Sequence, residues 1–151
     1  MNPGAEYPKI GFRLPGLRMP GGTDPPVPPK RLLLAEDDAP LREVVCEALR
    51  EEGFEVVAAG DGAEALELLR RGDVFDVVVL DDEMPRLKGR QLLSLLRAEG
   101  CQVPAVLVSG SLELSREERA LLSVGPVVRK PVSFPELADA IRTAMGSERR
   151  G

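Results

Sequence analysis

The chain has 151 residues, enough for one domain, and its 43% hydrophobic and 30% charged content supports a single packed core. A net charge of -5 and only 3% aromatic residues argue against a nucleic-acid backbone or stacked bases as direct partners. There is no histidine, which removes histidine metal sites, Ser-His and Cys-His nucleophile pairs, and any phosphohistidine carried in cis.

Residues 1–29 hold eight prolines and five glycines and repeat neither a helix nor a strand pattern, so they read as a disordered Pro/Gly-rich tail. A polyproline helix over Pro25–Pro29 is the less favoured reading of that stretch. From Lys30 the pattern alternates. Arg31 to Ala35 is a short apolar run that ends in acids. Leu41, Val44, Val45, Ala48 and Leu49 then recur at the spacing of one helix face, with Pro40 suited to the first turn and Gly53 to the end. Phe54 to Ala58 reads as a strand. Asp61 is a good N-cap with Glu64 three residues on, opening a helix to about Arg71. Phe75 to Leu80 contains the unbroken run Val77-Val78-Val79-Leu80, the pattern of a strand buried on both faces. A helix over Gln91 to Ala98, a strand over Ala105 to Val108, a helix over Arg116 to Ser123, a strand over Val127 to Arg129 and a helix over Pro135 to Met145 complete the series.

Such alternation predicts an α/β fold with a five-stranded parallel sheet covered by helices on both sides. In such folds chemistry sits beyond the carboxyl ends of the strands, near the switch point of strand order. The residues of interest fall at those ends: Glu36-Asp37-Asp38 after the first strand, Asp81-Asp82-Glu83 after the third, Ser109-Gly110 after the fourth and Lys130-Pro131 after the fifth. Two carboxylates about 4 Å apart repel by about 4 kcal/mol at an effective dielectric of about 20, so a cluster of them calls for a cation or for protons. Oxygen ligands suit Mg2+. Lys130 adds a positive charge and Ser109 a hydroxyl donor. Together they are equipment for phosphoryl transfer to a carboxylate.

The runs Leu34-Ala35-Glu36-Asp37-Asp38-Ala39-Pro40-Leu41-Arg42, Val79-Leu80-Asp81-Asp82-Glu83-Met84-Pro85 with Gly89, Leu107-Val108-Ser109-Gly110 and Arg129-Lys130-Pro131 resemble, in order and spacing, the receiver domain of bacterial response regulators. The resemblance covers residues 30–146 and leaves 147–151 as a short C-terminal tail. It implies a flavodoxin-like, doubly wound sheet of order 2-1-3-4-5 flanked by five helices. It implies that Asp81 is the phosphoacceptor, that Asp37 and Asp81 ligate Mg2+ directly, that Glu83 contributes its backbone carbonyl, and that Glu36 acts through a metal-bound water. Lys130 would pair with the phosphoryl group ahead of a cis peptide to Pro131. Ser109 would move inward to bond a phosphoryl oxygen and reshape the face of the fourth helix, fifth strand and fifth helix. Small Gly110 would leave the phosphoryl group approachable. The donor would be the phosphohistidine of a sensor histidine kinase or phosphotransfer protein, and the output a downstream protein. The chain would be no enzyme beyond its own Mg2+-assisted phosphorylation and dephosphorylation. With so few residues after the last helix, direct DNA binding is not expected. Whether phosphorylation drives homodimerisation stays open.

Four positions depart from the family pattern. Asp82 replaces a common apolar residue, Glu83 adds a carboxylate, Lys88 stands where Asp is frequent, and Val127 occupies a place that often holds a switch aromatic. Glu83 is expected to lie beside the path of the water that hydrolyses the acylphosphate. Two other functions remain in view: a degenerate receiver acting as a constitutive scaffold, and a phosphatase with an aspartyl intermediate in which Glu83 is the general acid. The two cysteines, Cys46 and Cys101, lack metal-type spacing, no apolar stretch spans a membrane and no signal core precedes Lys30; a cytoplasmic protein is expected.

Overall fold

The third strand explains the architecture. Val77-Val78-Val79-Leu80 has β-branched residues at successive positions, so both faces of the strand are apolar and both must be covered. In the computed structural model, which describes residues 27–111 and 113–150 with side chains through Gly146, every residue of this strand is buried. The expectations for residues 1–26 lie outside the described residues, and Val27 to Pro29 are exposed without regular structure.

The elements run β1 (Arg31–Ala35), α1 (Ala39–Glu51), β2 (Glu55–Ala59), α2 (Gly62–Arg70), β3 (Val77–Asp81), α3 (Gly89–Ala98), β4 (Ala105–Ser109), α4 (Arg116–Leu122), β5 (Val127–Arg129) and α5 (Phe134–Arg150). All strand pairs are parallel, in the order β2-β1-β3-β4-β5. This is the doubly wound, flavodoxin-like sheet that the alternation and the resemblance imply. The chain winds outward to β2 from β1, then back across to β3 and on to β5. The switch point therefore lies between β1 and β3.

The period of two along each strand divides the core into two layers. Leu32, Leu34, Val79 and Val108 face α1 and α5, meeting Val45, Leu49, Leu137 and Ile141. Leu33, Val78, Leu80 and Leu107 face the other helices, meeting Ala65, Leu92, Leu93, Leu96 and Leu122. Asp38 caps α1 by accepting from the Leu41 amide at 3.1 Å, and Asp61 caps α2 by accepting from the Glu64 amide at 2.8 Å.

Strand boundaries differ slightly from the expected ones, and two shifts matter. β3 extends to Asp81 and β4 to Ser109, so both residues belong to strands rather than to the loops beyond. The last helix, expected to stop at Met145, continues to Arg150 through residues read as a tail. Gly146 there keeps a helical backbone in place of the left-handed turn that ends helices at glycine, and the Ser-Glu-Arg-Arg that follows contains good helix formers. Among the described residues no helix is long and apolar enough to cross a membrane.

Candidate functional site

Parallel strands bring their carboxyl ends to one edge. Register pairs Ala35 with Leu80, Asp81 with Val108, and Ser109 with Arg129. Glu36, Asp81, Ser109 and Lys130, which end or directly follow these strands, are therefore neighbours in one crevice. Asp81 is 5% exposed and Glu36 equally buried, whereas Asp37 is exposed.

One half of the crevice is acidic. A carboxylate oxygen from each of Glu36, Asp37 and Asp81 lies within 4.8 Å of the others. Glu36 Oε2 is buried without a hydrogen-bond partner. Burial, and after it the adjoining Asp81 carboxyl, pushes the Glu36 carboxyl up to about 8. An orphaned buried oxygen and hard, converging carboxylates fit Mg2+. Glu83 lies outside this trio; its amide donates to Asp81 Oδ1 at 2.9 Å, and its side chain turns the other way.

The other half gathers donors. Lys130 Nζ lies 3.1 Å from Asp81 Oδ1 and 3.2 Å from Glu83 Oε1. The Ser109 hydroxyl donates to Glu83 Oε2, and the Gly110 amide donates to the same oxygen at 2.8 Å. The Ser109 hydroxyl, with the Gly110 amide and Lys130 ammonium, holds the Glu83 carboxyl below its usual range despite partial burial. Burial pulls the Lys130 ammonium down, but bonds and charge from Asp81, then Glu83 and Glu36, outweigh it and leave Lys130 raised. The Lys130–Pro131 peptide is cis.

Two departures in the sequence acquire structural roles. Asp82 is 3% exposed and pairs with Arg90, whose guanidinium reaches Asp82 Oδ2 at 3.0 Å and whose amide donates to Asp82 Oδ1 at 2.9 Å. That amide is one of the unpaired donors in the first turn of α3, and Lys88 at the N-cap has no acceptor to offer it. Asp82 thus caps α3 from outside the helix. Gly89 is needed because a Cβ there would meet the Asp81 carbonyl oxygen at 2.8 Å. Val127 is half-buried against the layer formed with α3 and α4.

Sequence reasoning missed the Gly110 amide as a donor and Arg90 as the partner of Asp82. A backbone donor has no residue-type signal. The eight positions between Asp82 and Arg90 span a strand end and a turn, so no helical spacing announces that pair.

A family model described as the response regulator receiver domain matches residues 32–142. The transcriptional activator protein PfeR of Pseudomonas aeruginosa is 39% identical over 112 residues, covering 74% of this chain and 36% of that protein. The transcriptional regulatory protein PdtaR of Mycobacterium tuberculosis is 37% identical over 122 residues, covering 78% of this chain and 57% of that one. The chain thus spans about half the length of the curated relatives it matches. Among solved structures, a Francisella response regulator receiver domain superposes with a TM-score of 0.69 at 28% identity, covering 79% of this chain and 98% of that one. The receiver domain of a sensor histidine kinase from Pseudomonas aeruginosa, with a magnesium ion coordinated in its active site cleft, gives 0.67 at 26% identity, covering 77% and 98%.

Proposed function

Since this chain belongs to the response regulator receiver family of two-component systems, we propose that Asp81 is its phosphoacceptor and that a phosphohistidine on a sensor kinase or phosphotransfer protein is the donor. The observation that carries this reading is the position of Asp81. It is a buried carboxylate with Lys130 Nζ at 3.1 Å on one side and the Glu36–Asp37 pair on the other.

In the proposed transfer an Asp81 oxygen attacks phosphorus in line with the phosphorus–nitrogen bond. That bond breaks, its electron pair returns to the imidazole nitrogen, and Asp81 becomes an acylphosphate. Lys130 offsets the negative charge gathered at Asp81, and Ser109 supplies a hydroxyl donor to a phosphoryl oxygen. Glu36, Asp37 and Asp81, with the Glu83 carbonyl, would hold Mg2+, which supplies charge neutralisation and fixes phosphoryl oxygens when bound. Reversal of the signal is attack of water on phosphorus, releasing inorganic phosphate and restoring the carboxylate. Output would pass through the face of α4, β5 and α5 to a downstream protein, with Val127 in place of an aromatic. The relatives named above are transcriptional regulators, so the expectation of no DNA contact draws no support from them.

The phosphatase reading is weakened by Glu83. A general acid needs a proton, and Ser109, Gly110 and Lys130 favour the ionised carboxylate. Titration with beryllofluoride, a phosphoryl analogue, separates the remaining readings. Amide resonances around Asp81, Ser109 and Lys130 are expected to shift only when Mg2+ is also present, and Asp81→Asn is expected to abolish the response. Silence to Mg2+ and beryllofluoride, in wild type and in a chain whose Glu83 carboxylate is removed alike, would mark a scaffold.

A further inference from the structure

We infer that the Glu83 carboxylate is an internal stand-in for the phosphoryl group, occupying its donors in the unphosphorylated chain and competing with it at Asp81. The inference rests on the reading of Asp81 as phosphoacceptor and goes beyond it, because it assigns Glu83 a role against loading of the site.

Three donors define the place where phosphoryl oxygens would go: the Ser109 hydroxyl, the Gly110 amide and the Lys130 ammonium. All three converge on Glu83. Ser109 and Gly110 donate to Oε2, the latter at 2.8 Å, and Lys130 lies 3.2 Å from Oε1. The turn after β3 is pinned by the Glu83 amide on Asp81 Oδ1 at 2.9 Å, which sets the root of the side chain beside the acceptor. A carboxylate offers two acceptor oxygens and a negative charge, the features a phosphoryl group presents to the same donors. The two anions cannot share the site. Their charges repel at contact distance, and each donor that bonds one is lost to the other.

Displacement is feasible because the Glu83 side chain is 41% exposed and can swing into water, while Ser109 is 2% exposed at the end of a buried strand. The donors stay and the carboxylate leaves. Loading is therefore opposed by the bonds that Glu83 must give up. Before loading, the Ser109 hydroxyl is already engaged by an anion, so the phosphorylated and unphosphorylated chains differ less at the end of β4 than they would without Glu83.

The test is calorimetric titration of beryllofluoride in saturating Mg2+, on wild type, Glu83→Ala and Glu83→Gln, with the Gly110 amide followed by NMR. Removing one charged competitor that holds three donors is expected to tighten binding about tenfold in Glu83→Ala. Glu83→Gln keeps the shape and loses the charge, so it tightens binding less; it also carries the test alone should Glu83→Ala fail to fold. The Gly110 amide resonance is expected to move upfield in ligand-free Glu83→Ala and to return downfield with beryllofluoride. Equal or weaker affinity in the folded variants, or an unmoved Gly110 resonance, overturns the inference and leaves the phosphoacceptor reading standing. Failure of wild type and variants alike to bind beryllofluoride sinks that reading, and this inference with it.

Discussion

Glu36 binds its proton more tightly in the folded chain than a solvated carboxyl does. Its folded value of about 8 stands above an ordinary value of 4.5. Between those values the folded state holds more protons than the unfolded one, so stability falls as pH rises through that window. Its contribution is fully present below the ordinary carboxyl value and gone above about pH 8. The slope from this one group reaches at most about 1.4 kcal/mol per pH unit, since each unit of pKa displacement corresponds to that energy. Urea unfolding without divalent ions is therefore expected to give a lower midpoint at pH 8.5 than at pH 6. Glu36→Gln, a neutral mimic of the protonated group, should flatten that difference. Added Mg2+ should restore the wild-type midpoint at high pH, because a cation stabilises the ionised cluster. Parallel pH dependence in wild type and variant would remove Glu36 as the cause.

At the scale of elements, two helices are finished by residues outside them. Asp82 caps the first turn of α3 and pairs with Arg90 in a nearly buried setting. Asp82→Ala is expected to cost about 2 kcal/mol, because it strands a helix-end donor and the charge of Arg90 together; Asp82→Asn keeps an acceptor for the amide and should cost about 1 kcal/mol. Chemical denaturation separates the two, and equal losses would mean that only the charge matters. Arg97 of α3 does the converse for α4. Its guanidinium donates to the carbonyls of Leu122 at 2.6 Å, Cys101 at 2.9 Å and Ser123 at 3.1 Å, where the backbone turns left-handed at Ser123 with φ 46°. A lysine carries its three donors on a single nitrogen and cannot span carbonyls that Arg97 reaches from three separate ones. Arg97→Lys is expected to destabilise by about 1 kcal/mol and to speed hydrogen exchange in α4 more than in α1. Uniform acceleration would assign Arg97 to the general core. Both devices escaped the sequence because they join residues across a turn or between helices. The caps at Asp38 and Asp61 were legible because a cap and its donor lie three residues apart in the chain.

For the whole molecule, alternation of short apolar strands with amphipathic helices was enough to foresee the sheet, its two layers and its reactive edge. Strand order came from the family resemblance rather than from the alternation, and that order brings Asp81, Ser109 and Lys130 to one edge, so the acidic and cationic residues could be assembled before their distances were known. Side-chain direction could not. Glu83 reads as one more acid beside the acceptor, yet its carboxylate points away from the acidic trio and onto the donors of β4 and β5. This distribution couples the edge to the stability of the whole domain. Ligands that bind only the folded crevice raise the unfolding free energy by mass action, about 2.7 kcal/mol at a hundredfold excess over the dissociation constant. For a domain of this length that corresponds to a Tm increase of about 8 °C. Mg2+ alone should give part of the increase, and Mg2+ with beryllofluoride the whole of it. Asp81→Asn should lose the beryllofluoride part, because the analogue needs the Asp81 carboxylate. A Glu83→Ala chain should gain more from beryllofluoride than wild type does, since no internal anion has to leave. If instead the two chains shift equally while Asp81→Asn stays silent, the crevice takes the analogue without displacing Glu83. The carboxylate would then be a rim charge rather than a competitor.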